Sequence, residues 1–221
     1  MYKFLTSMSV LIVACATACS AIAQDLKGDA KAGEKKITLC IGCHGIKGYQ
    51  ASFPEVYKVP MIAGQAASYI ASALSAYKKG ERKHPTMRGI AAGLSEQDMA
   101  DVAVYYEAQG GTQNAPVLGK AADGNAQAVE LVRKGACVSC HGESFSKPIA
   151  PNYPRIAGQH ADYLFVALKS YKTEGHSTWG RSNPIMGGVA KQFSLAELKE
   201  LANYVSSLPG ELKTVPQSKF R

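Results

Sequence analysis

The chain has 221 residues, 25 Lys and Arg against 17 Asp and Glu, and a formal charge of +8, a length that accommodates two modest domains or one large one. Its charge is uneven: residues 24–119 hold 11 basic and 9 acidic side chains, residues 120–221 hold 13 and 8. The basic residues are dispersed rather than gathered into a stripe, and this excludes a nucleic-acid-binding role.

From the N-terminus, Lys3 precedes an apolar run at 10–18 and then Ala21-Ile22-Ala23. That order predicts a secretory signal peptide over 1–23, cleaved after Ala23, and the run is too short for a transmembrane helix. Ile12-Val13-Ala14-Cys15 also resembles a lipobox, the competing reading of the same segment. Export to the periplasm removes Cys15 and Cys19. The mature cysteines are then Cys40, Cys43, Cys137 and Cys140, and both pairs stand in one pentapeptide pattern, Cys40-Ile41-Gly42-Cys43-His44 and Cys137-Val138-Ser139-Cys140-His141.

C-x-x-C-H is the attachment pattern of a c-type haem: the thiols add to the vinyl groups, and the adjacent histidine ligates the iron. Two disulfides or a four-cysteine zinc site would use the same cysteines. Neither accounts for His44 and His141, and zinc pairs normally lie about 15–20 residues apart, whereas 97 residues separate Cys40 from Cys137. Two covalent haem c groups are therefore expected. Loss of Lys3 with the signal peptide leaves +7, and four haem propionates bring the ferrous protein near +3. Such a surface can steer encounters with acidic patches on redox partners, and a merely solvated basic surface is the equal alternative.

The predicted elements repeat. A helix from Asp29 to about Leu39 delivers Cys40, and its counterpart runs from Asn125 to Lys134. Ile62-Ala63-Gly64-Gln65 recurs as Ile156-Ala157-Gly158-Gln159, and Tyr69, Ala73, Leu74, Tyr77 and Lys78 recur as Tyr163, Ala167, Leu168, Tyr171 and Lys172. Residues 68–79 carry Ile70, Ala73, Leu74 and Tyr77 at helical spacing, with Gly80 as the stop. Ser95 with Asp98, and Ser194 with Glu197, are capping boxes opening the last helix of each half. No stretch alternates with period two, so the fold class is all-α. Gly110, Gly111, Asn114, Pro116 and Gly119 mark the boundary between the halves. The expected organisation is a domain at 24–110, a linker at 111–123, a second domain at 124–208 and an extended tail at 209–221.

A low-spin haem needs a second axial ligand. Met87-x-Gly89-Ile90-Ala91 recurs as Met186-x-Gly188-Val189-Ala190, and only these methionines share the repeat. Both are placed in glycine-containing loops, where a thioether would raise the reduction potential. Met61 matches Arg155 and is set aside; Met99 reads as core. His84, three residues before Met87, is the alternative ligand, but His84, His160 and His176 all read better as surface or loop histidines. Pro60 and Pro154 are candidates to offer a carbonyl to each axial histidine.

This order of motifs, present twice over residues 28–208, resembles the dihaem class I cytochromes of the cytochrome c4 type. The resemblance implies two cytochrome c folds, each of three main helices around one haem, facing each other across a pseudo-twofold with propionate edges close together. It implies Cys40, Cys43, His44 and Met87 around one haem, and Cys137, Cys140, His141 and Met186 around the other. It also implies a periplasmic shuttle between a quinol-oxidising cytochrome bc complex and a haem–copper oxidase, reaching the membrane only through its partners. The glycine of the first helix is Gly33; its counterpart by position is Val129. An electron carrier rather than an enzyme is the expectation. The alternatives are a cytochrome subunit of a periplasmic dehydrogenase, gripped through the tail or the Trp179 loop, and a peroxidase or thiosulfate dehydrogenase.

Overall fold

The computed structural model describes residues 27–110 and 125–216. The signal segment at 1–23, the linker at 111–123 and the last five residues of the tail lie outside the described residues. The first half contains α1 (Ala30–Lys36), α2 (Thr38–His44), β1 (Gln50–Ala51), β2 (Tyr57–Lys58), α3 (Ala67–Lys79), β3 (Arg82–Lys83), α4 (Pro85–Ala92) and α5 (Glu96–Ala108). The second contains α6 (Ala126–Lys134), α7 (Val138–His141), α8 (Ala161–Lys172), β4 (Gly180–Arg181), α9 (Pro184–Lys191) and α10 (Leu195–Ser207). The fold is all-α, as the sequence indicates, and each half closes its own core of buried residues.

Local chemistry sets the helix ends. Asp29 Oδ1 accepts from the backbone N–H groups of Lys31 and Ala32 at 2.8 and 3.3 Å and starts α1. The helix does not run unbroken to Leu39. It pauses at Ile37 (φ −76°, ψ 0°) and resumes as α2, so the first C-x-x-C-H is itself helical and ends on His44. Ile37 at the pause and Ile41 one turn into α2 are both buried in the core. Both capping boxes form, with Ser95 and Asp98 opening α5 and Ser194 and Glu197 opening α10. Ile70, Leu74 and Tyr77 are the buried stripe of α3, which stops at Gly80 in the left-handed region (φ +81°).

The first and last helices of each half cross differently. A Cβ on Gly33 would stand 2.2 Å from the carbonyl oxygen of Asp101, so α1 lies on α5 backbone to backbone. In the second half Val129 does not take that place. It is 37% exposed, and Ala128, fully buried, packs into the cluster with Leu198, Leu201 and Ala202. The small residue at the crossing has moved by one position.

The halves are joined by more than the linker. β3 pairs with β4 antiparallel, setting Arg82 opposite Arg181, while β1 pairs with β2. Pairs two residues long carry no alternation that a sequence pattern could reveal. The insertion before Met186, which contains Trp179, packs across the boundary: Lys83 Nζ donates to the His176 carbonyl at 2.6 Å. The tail is extended, and through residue 216 it is packed. Leu212 is buried, Val215 packs on the first core, and Lys213 N–H donates to the Ala63 carbonyl at 3.0 Å. The second half thus straps itself onto the first.

Candidate haem sites

Each C-x-x-C-H ends a short helix with its histidine turned toward a proline carbonyl. His44 Nδ1 lies 2.9 Å from the oxygen of Pro60, and His141 Nδ1 lies 3.1 Å from that of Pro154. These are the two carbonyls the repeat singled out. With Nδ1–H donating, the tautomer is set and Nε2 keeps its lone pair. Burial lowers the pKa of both imidazoles, holding them in the neutral, ligating form.

The four thiols are not paired with one another. Burial pushes Cys40 up to about 11 and raises Cys137 as well, opposite to the depressed thiol of a redox C-x-x-C. The two cysteine pairs stay in separate halves. Among the described residues no group of three or more His, Cys, Asp or Glu side chains could hold a metal ion, so the zinc reading has no ligand set.

The methionines are not in loops. Met87 and Met186 each occupy the third position of a two-turn helix, α4 and α9, whose first residue is a proline. Pro85 and Pro184 at the first helical position were the available signal. The cap side chains differ: Met87 N–H donates to His84 Nδ1 at 3.3 Å, and Met186 N–H to Asn183 Oδ1 at 2.9 Å. The second ring nitrogen of His84 lies 2.9 Å from Tyr57 Oη. Both ring nitrogens of His84 are thus engaged within the protein, one of them as the cap of α4. Met87 packs on the same core as Cys40; Met186 is half-buried and lies outside the second core cluster. Met99 is core.

A feature not singled out in the sequence lies where the halves meet. Arg82 donates to Tyr69 Oη at 3.2 Å and Tyr163 Oη at 2.8 Å; Arg181 donates to Tyr171 Oη at 3.4 Å and Tyr163 Oη at 3.2 Å. Among the described residues neither arginine has a carboxylate partner, and Arg82 Nε is sealed from solvent with no acceptor. Burial raises the Tyr163 phenol, but the two guanidinium charges outweigh it and bring the group down to about 8. The signal was present in the repeat: Arg82-x-x-Pro85-x-Met87 returns as Arg181-x-x-Pro184-x-Met186.

The Cytochrome c family model matches residues 30–109 and again 111–209. The cytochrome c4 of Stutzerimonas stutzeri is 31% identical over 199 residues, covering 82% of this chain and 90% of that protein. The chain belongs to the dihaem cytochrome c4 family. The crystal structure of reduced recombinant cytochrome c4 from Pseudomonas stutzeri superimposes with a TM-score of 0.63 at 30% identity, over 82% of this chain and 100% of that one. A protein of Stutzerimonas stutzeri (strain A1501) named thiosulfate dehydrogenase electron acceptor is 30% identical over 76% of this chain and 78% of its own length.

As a cytochrome c4 the protein is an electron-transfer cytochrome with two covalent haem c groups. Its residues fit them. Each domain offers a C-x-x-C-H with an oriented neutral histidine, and the boundary offers two arginines that, among the described residues, lack counter-ions, one with a sealed Nε that has no acceptor. Two haems bring four carboxylates, which is the charge such a cluster lacks.

Proposed function

We propose that this cytochrome is a periplasmic shuttle carrying electrons from a quinol-oxidising cytochrome bc complex, or a periplasmic dehydrogenase, to a terminal oxidase. Residues 1–23 direct export, and domains at 24–110 and 124–208, joined by 111–123, each hold one haem. Cys40, Cys43, Cys137 and Cys140 form the thioethers. His44 and Met87 would ligate one haem iron, and His141 and Met186 the other. When bound, each haem supplies a one-electron ferric–ferrous couple. The protein keeps both histidines neutral and oriented by Pro60 and Pro154, fixes each methionine's backbone through His84 or Asn183, and sets Arg82 and Arg181 toward the propionates. With both axial positions filled there is no site for a substrate, and transfer is outer-sphere.

One observation carries this reading. In both domains, a histidine bonded through Nδ1 to a proline carbonyl is matched by a methionine whose backbone N–H is held by a helix cap. Membranes depleted of the protein should regain quinol-dependent oxygen uptake when the holoprotein is added back. Uptake that is unchanged by its addition contradicts the shuttle.

The thiosulfate dehydrogenase electron acceptor among the relatives supports a second reading, in which the donor is a dehydrogenase of that kind. Oxidised holoprotein mixed with such an enzyme and thiosulfate would then be reduced faster than by quinol and a bc complex. The opposite order favours the first reading.

A further inference from the structure

We infer that Gln65 and Gln159 are positioning residues for the haem in the opposite domain, each acting on that domain's axial histidine through a single shared peptide unit. The inference rests on the assignment of His44 and His141 as iron ligands.

The carbonyl of the Pro60–Met61 peptide accepts from His44 Nδ1–H at 2.9 Å. The N–H of the same peptide donates, across the domain boundary, to Gln159 Oε1 at 3.1 Å. Gln159 Nε2 closes the clasp on the Met61 carbonyl at 2.8 Å. The second domain repeats the arrangement. The Pro154 carbonyl accepts from His141 at 3.1 Å, Arg155 N–H donates to Gln65 Oε1 at 2.9 Å, and Gln65 Nε2 donates to the Arg155 carbonyl at 2.8 Å. Each glutamine comes from one domain and grips the peptide serving the other domain's histidine.

The clasp is built rather than incidental. Both glutamines are buried, at 5% and 4% exposure. Each Oε1 also accepts the next backbone N–H, of Ala66 or His160, at 3.0 Å, and this ties the carboxamide to the start of α3 or α8. Oxygen facing two donors and nitrogen facing a carbonyl leave one orientation for each amide. Gly64 and Gly158, at φ +85° and +71°, make the turn that delivers them, and a Cβ on Gly64 would stand 2.8 Å from the Glu211 carbonyl oxygen.

A peptide polarises as a unit. An acceptor on its N–H makes its carbonyl oxygen a stronger acceptor, because bonds in a chain reinforce one another. A stronger bond to Nδ1–H makes the imidazole a more basic ligand, which favours ferric iron. Gln159 therefore lowers the potential of the His44 haem, and Gln65 that of the His141 haem. Neither glutamine bonds to the peptide serving the histidine of its own domain.

The test is a redox titration of the wild-type holoprotein and of Gln159→Leu, Gln65→Leu and Gln159→Glu. Each haem is followed through its own hyperfine-shifted proton signals, with the histidine Nδ1–H resonance read in the reduced state. In Gln159→Leu the reduction equilibrium of the His44 haem should rise two- to threefold, roughly 18–28 mV at ~59 mV per decade. Its Nδ1–H resonance should move upfield while the His141 haem stays unchanged; Gln65→Leu should do the converse. Gln159→Glu keeps an acceptor against Met61 N–H but loses the donor to the Met61 carbonyl, and should leave the Nδ1–H resonance closer to wild type than Gln159→Leu does. A shift confined to the glutamine's own domain, equal shifts at both haems, or no shift overturns the inference while the ligand assignment stands. A wild-type protein lacking histidine ligation at these haems overturns the assignment itself, and this inference with it.

Discussion

Replacing Gly33 by alanine should destabilise the N-terminal domain, although alanine is the better helix former. In an open helix the change would gain about 1 kcal/mol. Here the added Cβ would lie 2.2 Å from the Asp101 carbonyl oxygen, 2.7 Å from its carbon and 2.9 Å from Tyr105 Cβ. Two of these are backbone atoms of α5, so no flexible side chain can yield and α1 must lift. Overpacking of this kind costs ~1–3 kcal/mol, and the upper end applies where nothing can move aside. Lifting α1 also stretches the 2.8 Å bond from Asp29 N–H to Asp101 Oδ1, a further loss of about 1 kcal/mol. The net cost is about 2–3 kcal/mol, or ~8–24 °C in the melting temperature of a domain this size. Thermal melts of the holoprotein, followed by circular dichroism in the peptide and haem bands, read it directly. Val129→Ala, on the exposed face of α6, should instead be stabilising by about 0.5 kcal/mol. A Gly33→Ala protein melting at or above the wild-type temperature would refute the backbone-to-backbone crossing.

The other predictions concern the caps and the tail. Asn183→Ala removes the acceptor for Met186 N–H and should cost ~1 kcal/mol in chemical denaturation, with earlier loss of the ferric methionine–iron charge-transfer band at that haem. The pKa of His84 is lowered from 6.5 mainly by burial. The unfolded chain therefore takes up the proton first: the His84 contribution to stability is full above about 6.5 and is lost as pH falls from there through the depressed folded value. His84→Asn, copying the second domain, should remove that acid sensitivity from Met87 ligation in a spectroscopic pH titration, leaving Met186 unchanged. Leu212→Ala should cost ~2–3 kcal/mol by emptying the buried seat of the tail. It should also speed limited proteolysis at Lys213 without changing either haem spectrum.

The C-x-x-C-H pentapeptides and the capping boxes were legible because each is a local pattern with a local cause, whereas Pro60 and Pro154 were candidates only, since the carbonyl that meets each histidine lies 16 or 13 residues away. C-x-x-C-H needs no tertiary context, and Ser95 and Ser194 satisfy the helix starts that lie beside them. The methionine helices were misread as loops because Gly89 and Gly188 outweighed Pro85 and Pro184, although proline at the first position is a start signal. The one-residue shift from Val129 to Ala128 accompanies a longer break between α6 and α7, Gly135 to Cys137 with Ala136 at φ +48°, whereas Ile37 alone separates α1 from α2. The features at the domain boundary were visible as repeats but not as contacts. The repeated glutamines and arginines look alike in sequence whether they face their own domain or the other. Only the assembled pair shows that Gln159 serves Pro60 and that Tyr163 accepts from both Arg82 and Arg181. The tail carries no periodic signal, because isolated contacts of Glu211, Leu212, Lys213 and Val215 hold its described part rather than one repeating face.

The central claim is that each domain closes its iron between a histidine and a methionine, His44 with Met87 and His141 with Met186. A spectroelectrochemical titration of the holoprotein tests it most directly, reading haem number, spin state and the methionine–iron band at each potential. The account predicts two one-electron steps, both haems low-spin in each oxidation state and both with methionine ligation. A high-spin, five-coordinate or bis-histidine haem at either site would contradict it.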